Sequence, residues 1–163
     1  MVRWYDGLYG GLSAGAIVVA FFAATAALFS SETTLGGFFA EVASGVLRGP
    51  TSLASPWAFA FGVGLYALGS VFFGLVYVLS VARLRLVALA PVSVVSGLLY
   101  GFLTWLLITD VLVPELNVVT TLALWEGCLG GLIFGLVVSE YTSTFRRLRA
   151  PAPVYGDDDV VDA

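Results

Sequence analysis

One acidic side chain stands apart from every other ionisable group in this chain. Glu126 is the only charged residue between Glu115 and Glu140, and the run around it is apolar. A carboxylate held in hydrocarbon is costly unless it is paired, solvated or protonated. Such a residue therefore serves as an ion or proton site, as a contact for a polar ligand, or as a protonated acid hydrogen-bonded to a neighbour. The last is the simplest role. Tyr66, Thr104, Tyr100 and Thr25 are the hydroxyl residues expected at a similar depth. Glu126, Tyr66, Thr104 and Tyr100 form the candidate intramembrane ion, proton or ligand site.

Other chemistry is excluded by residue type. The chain has no His, and Cys128 is its only Cys. One thiol makes neither an internal disulfide nor a thiolate cluster. Zinc and haem sites draw on His or on several Cys, so neither metal nor cofactor is expected. Ser-His-Asp and Cys-His catalysis lack their imidazole. Isolated carboxylates and hydroxyls compose no catalytic constellation, and no enzyme is expected. Asp110 and Glu115 flank Pro114 and read as a solvated acidic turn. Trp105 and Trp125 read as belt or core residues.

The elements that position these residues follow from composition. Of 163 residues, 60% are hydrophobic and 11% charged, well under the usual quarter. The mean hydropathy is +1.00. A soluble domain of this length cannot hide so much apolar surface. The net charge of −4, with no Lys, also lacks the basic face that nucleic acid requires. Absence of Lys in an acidic, Ala/Val/Gly-rich chain matches the composition of salt-adapted haloarchaeal proteins.

Charged residues mark the limits of four apolar runs. None falls between Asp6 and Glu32, between Arg48 and Arg83, or between Arg85 and Asp110. Each run reaches the roughly 20 residues that cross about 30 Å of hydrocarbon. Spans are predicted near Leu8–Phe29, Trp57–Ala82, Ala88–Thr109 and Val118–Ser139, with Pro91 in the first turns of the third. On these limits Glu126 lies about 12 Å below the membrane boundary at 1.5 Å per residue. The first run exceeds the core of a signal peptide and reads as a retained helix.

Six of the seven Arg fall on one side of this layout, and only Arg48 falls on the other. By the positive-inside rule both termini are expected in the cytoplasm, with the chain in the cell membrane. Residues 1–148 then form one four-helix domain. Residues 149–163 are acidic and Pro-broken, and read as a disordered tail. The FRRLR stretch before the tail is suited to an anionic membrane surface.

An internal repeat links the spans. Residues 68–76 read LGSVFFGLV and residues 129–137 read LGGLIFGLV. Gly11-Leu12 with Gly15 likewise matches Gly97-Leu98 with Gly101. The fold expected is an all-α membrane protein of two parallel-repeat hairpins. The first hairpin carries an external insertion, residues 31–56. Leu35, Phe38, Phe39, Val42, Val46 and Leu47 follow helical spacing there, which predicts a short amphipathic helix on the outer surface or capping the bundle. Gly127, Gly131 and Gly135 lie four residues apart, and Gly69 and Gly74 lie in the second span. Such faces let helices approach closely in lipid, so these glycines are the predicted packing residues, with the second and fourth spans meeting each other.

The GLxxG start, Gly101 and Trp105 before Pro114, and the Gly-rich last span resemble the YagU-like inner-membrane proteins and short haloarchaeal membrane proteins. The resemblance covers about residues 8–140. It implies a fold and no activity, and this chain lacks the intramembrane His found in that group. Two functions are expected from the whole sequence. The favoured one is a structural or accessory subunit of a larger membrane assembly, partnered by the lipid bilayer and by other membrane subunits or itself. The alternative is a small transporter or channel using Glu126.

Overall fold

The computed structural model describes residues 3–29, 35–47, 56–81, 90–112 and 124–148. All are arranged as helices or their immediate ends: α1 (Trp4–Phe29), α2 (Leu35–Leu47), α3 (Pro56–Ser80), α4 (Ala90–Leu107) and α5 (Leu124–Leu148). A π-helical turn, Ile108–Leu112, extends α4. Among the described residues, four helices are long and apolar enough to cross a bilayer: Trp4–Leu28, Pro56–Ser80, Pro91–Leu112 and Leu124–Leu148. The described residues are all helical, and their four long apolar helices are those of a multi-pass membrane protein.

The helix starts have local causes. At α1, Asp6 accepts a 3.0 Å bond from the Arg3 backbone N–H, closing back on the residue before the helix. Pro56 and Pro91 open the second and third spans, where a missing N–H is one the helix could not use. The first span begins four residues before the predicted Leu8. The last differs most, because the described helix runs from Leu124 to Leu148. Polar residues from Ser139 to Thr144 do not end it: Thr142 and Ser143 bond carbonyls one turn back in the same helix. The predicted start at Val118, and the tail 149–163, lie outside the described residues.

Packing follows the hairpins. α1 lies along α3, α4 lies along α5, and α1 also lies along α5, which joins the two pairs. α2 packs chiefly on the first half of α3. The expected meeting of the second and fourth spans is corrected here, since α3 and α5 barely touch. The reason is that Gly74 of α3 and Gly131 and Gly135 of α5 are occupied within each hairpin, and Gly130 by α1. A methyl on Gly7 would lie 2.8 Å from the Gly74 carbonyl oxygen, and one on Gly74 would strike Gly7 and Gly11. Likewise a methyl on Gly97 would lie 2.7 Å from the Gly135 oxygen, and one on Gly135 would strike Gly97 and Gly101. Gly11 faces the Ser70 carbonyl as Gly101 faces that of Gly131.

The core lies along α1, α3 and α5, with Ala14, Val18, Phe22, Tyr77, Phe134 and Val138 buried together. The buried side of α2 includes Phe39 of the predicted apolar face but is rotated from it toward Ala40 and Ala43. Ala40 and Ala43 pack with Ala58 of α3, and Phe39 lies against the backbone at Gly62. Val46 and Leu47, on the predicted apolar face, are exposed.

Candidate functional site

The four predicted site residues do not converge on one point. Tyr66 and Thr104 line the same cavity, from α3 and α4. Tyr66 is engaged already: its hydroxyl donates to the Gly15 carbonyl at 3.2 Å and ties α3 to α1. Tyr100 donates to the Phe73 carbonyl at 2.6 Å and ties α4 to α3. Thr25 bonds the Phe22 carbonyl of its own helix.

Glu126 is 4% exposed and lies in the first turn of the described α5. The 12 Å depth depends on residues 118–123, outside the described set. One turn further along the same face is Gly130, where a methyl would lie 2.8 Å from Phe22 of α1. Glu126 is thus aligned with the α1–α5 seam, and it does not line the cavity that holds Tyr66 and Thr104.

Of the predicted packing glycines, Gly74 and Gly135 seat their partner helices as described. Gly127 and Gly131 make room for Trp105: methyls there would lie 3.0 Å from its Nε1 and 2.7 Å from its Cβ. Gly69 is a correction. A methyl there would meet nothing within 4 Å, because Gly69 faces the cavity and no helix.

Sequence reasoning missed the most concentrated polar group. Tyr77 of α3, Ser93 of α4 and Ser139 of α5 are each 0% exposed and share hydrogen bonds. Tyr77 donates to Ser139 Oγ at 2.8 Å. Ser139 donates to the Ser93 carbonyl at 2.5 Å, so the 2.8 Å bond between the two serine hydroxyls takes its proton from Ser93. Ser96 Oγ lies 2.9 Å from the Ser93 carbonyl and 3.2 Å from Tyr77 Oη, with one proton for both. The signal was Ser93 and Ser96 one turn apart, with Ser139 in the last span; hydroxyls on separate helices carry no sequence mark of meeting.

Above this network Tyr77 and Tyr100 stack edge to face, ring centres 5.0 Å apart. Between α3 and α4 lies a cavity of about 450 Å³, to which α1, α2 and α5 also contribute walls. Its walls are almost wholly apolar, with Phe38 and Val42 of α2 on one side and Trp105 on another. Among the described residues, no three His, Cys, Asp or Glu side chains gather to hold a metal ion. No family model, curated protein or solved structure matches the chain.

Proposed function

We propose that this chain is a structural or accessory component of a membrane assembly, packed against larger subunits or against copies of itself. The observation that supports it best is the use made of the interior hydroxyls. Tyr66, Tyr77, Tyr100, Ser93 and Ser139 bond other helices. Polar side chains that hold helices together are the expected glue of a packing protein, because lipid supplies no hydrophobic force between helices. Glu126 belongs to the same scheme, as a buried acid beside the α1–α5 seam.

The architecture belongs to this proposal. The equivalent contacts of Gly7, Gly11, Ser70 and Gly74 with those of Gly97, Gly101, Gly131 and Gly135 support two parallel hairpins related by an axis along the membrane normal. The register differs by one turn from that of the GLxxG match, since Gly7-Leu8 with Gly11 also reads GLxxG. Arg placement supports cytoplasmic termini, with α2 at the opposite face.

Purification in mild detergent with mass measurement tests the reading. A co-purifying membrane subunit, or a defined homo-oligomer that moves no ions, is the expected result. A lone monomer that conducts ions or protons across vesicles, and loses this with Glu126→Gln, overturns it in favour of a transporter.

A further inference from the structure

We infer that the groove between α3 and α4 binds one hydrocarbon chain of a bilayer lipid, drawn from the leaflet on the α2 side. The starting point is an imbalance between the two seams that could join the hairpins. If α1 corresponds to α4 and α3 to α5, then the seam α1–α5 has its counterpart in α3–α4. The first is closed: Gly130 of α5 receives Phe22 and Val18 of α1. The second is open. Gly69, the counterpart of Gly130 in the repeated segment, meets nothing within 4 Å and faces the cavity.

The dimensions select the occupant. Along α5 the lining extends from Leu124 to Phe134. Ten residues at 1.5 Å each give about 15 Å, half of the roughly 30 Å hydrocarbon layer and so the depth of one leaflet. The volume of about 450 Å³ is the space open to the centres of water-sized molecules; spread over that length and carried out to the walls it gives a mean cross-section of roughly 60 Å². A helix about 10 Å across needs roughly 80 Å². The groove is too narrow for a partner's helix and wide enough for an extended hydrocarbon chain.

The chemistry agrees. Among the described residues, no charged side chain lines the groove. Tyr66, one of its few hydroxyls, has already given its proton to Gly15. A polar ligand would forfeit its hydration there and recover few hydrogen bonds, because most of the lining is apolar. Val46, Ile108, Leu112 and Leu124 form an exposed apolar rim at the α2 end. With the four helices spanning a bilayer, as read above, this mouth lies where the lipid chains begin. Phe73 and Phe134 line the other end of the groove.

Trp105 lines the groove and reports on its contents. The other tryptophans are replaced by Trp4→Phe, Trp57→Phe and Trp125→Phe, and the protein is reconstituted in phosphatidylcholine vesicles whose acyl chains carry bromine. Flotation with the vesicles first verifies membrane insertion; its failure sinks the bilayer reading and not the groove. Bromine is expected to quench Trp105. Gly69→Leu, whose side chain enters open space, and Val42→Phe, from α2, should each lower that quenching roughly twofold by filling the site. Unchanged quenching in either variant, with helicity retained, overturns the inference, as does an unquenched Trp105 in the parent. The unmodified protein gives a reading that needs no variant. Native mass spectrometry from mild detergent should show one retained lipid, and bare protein alone counts against the groove.

Discussion

Tyr77 and Ser139 set the balance of polar and apolar forces at the level of single residues. Both are wholly buried, so each hydroxyl group that loses its partner stays without water to replace it. Ser139→Ala removes an acceptor from Tyr77 and a donor from the Ser93 carbonyl. Hydrogen bonds between membrane helices average about 0.6 kcal/mol and reach about 1.7, so Ser139→Ala should cost roughly 1–2 kcal/mol in a denaturation titration monitored by circular dichroism. Tyr77→Phe should cost less, since it loses one donated proton. The double variant should cost less than the sum, because the two share a bond; strict additivity would show that the network does not act as a unit. Glu126→Gln makes a different point. If Glu126 is structural, the amide keeps most of its bonding and the midpoint should move by under about 1 kcal/mol. The charge gaps that flagged Glu126 were legible because a lone acid in an apolar run is conspicuous. Ser93, Ser96 and Ser139 were not, since a serine inside a membrane helix can bond its own carbonyls and need have no partner elsewhere.

Among the elements, glycines divide into those that seat a helix and those that do not. Gly135 lies against the α4 backbone at Gly97 and Gly101, and Gly74 lies against α1 at Gly7 and Gly11. Backbone cannot yield as a side-chain tip can, so Gly135→Leu or Gly74→Leu must push two helices apart. Overpacking in a dense core costs about 1–3 kcal/mol or more, and a lower thermal midpoint with faster aggregation in detergent is expected for both. Gly131→Leu meets Trp105 Cβ at 2.7 Å and belongs with them. Gly64→Leu is the control: nothing lies within 4 Å, and replacing Gly in a helix should hold or raise the midpoint by up to about 1 kcal/mol. Equal losses at Gly64 and Gly135 would refute the close-packing role. Sequence spacing alone grouped Gly69 with Gly74, although only one of them touches a helix. Repetition reveals which positions correspond, but which side of a helix is covered depends on the third dimension. The one-turn register difference has a similar origin, because GLxxG occurs twice in α1 with Gly11 shared between the copies. Span limits were legible where charges bound them. The last was misplaced because Ser139, Glu140 and Thr142 resemble a helix end in composition while the helix continues to Leu148.

At the scale of the whole molecule, what matters is how two hairpins become one body. Most of the connection runs through α1 and α5, with Gly10 facing Tyr141 near one end and Gly130 facing Phe22 near the other. The hydroxyl network adds a second tie, from Tyr77 of α3 to Ser96 and Ser139. Each hairpin also has its own glycine contacts, so each should insert and pack without the other. Splitting the chain between Arg85 and Leu86, in the connection between the hairpins, therefore tests the seam directly. The two fragments, expressed together, should co-purify from mild detergent, since neither set of contacts requires a continuous backbone. Gly130→Leu places carbon where Phe22 already lies and should sharply reduce that co-purification. It should leave each fragment helical and in the membrane fraction, because the contacts inside each hairpin do not involve Gly130. Tyr77→Phe should weaken recovery less, as the loss of one of two ties. Should the Gly130→Leu fragment lose its own helicity, then α4 and α5 do not form an independent hairpin, and the division of the bundle into two equivalent units fails with it.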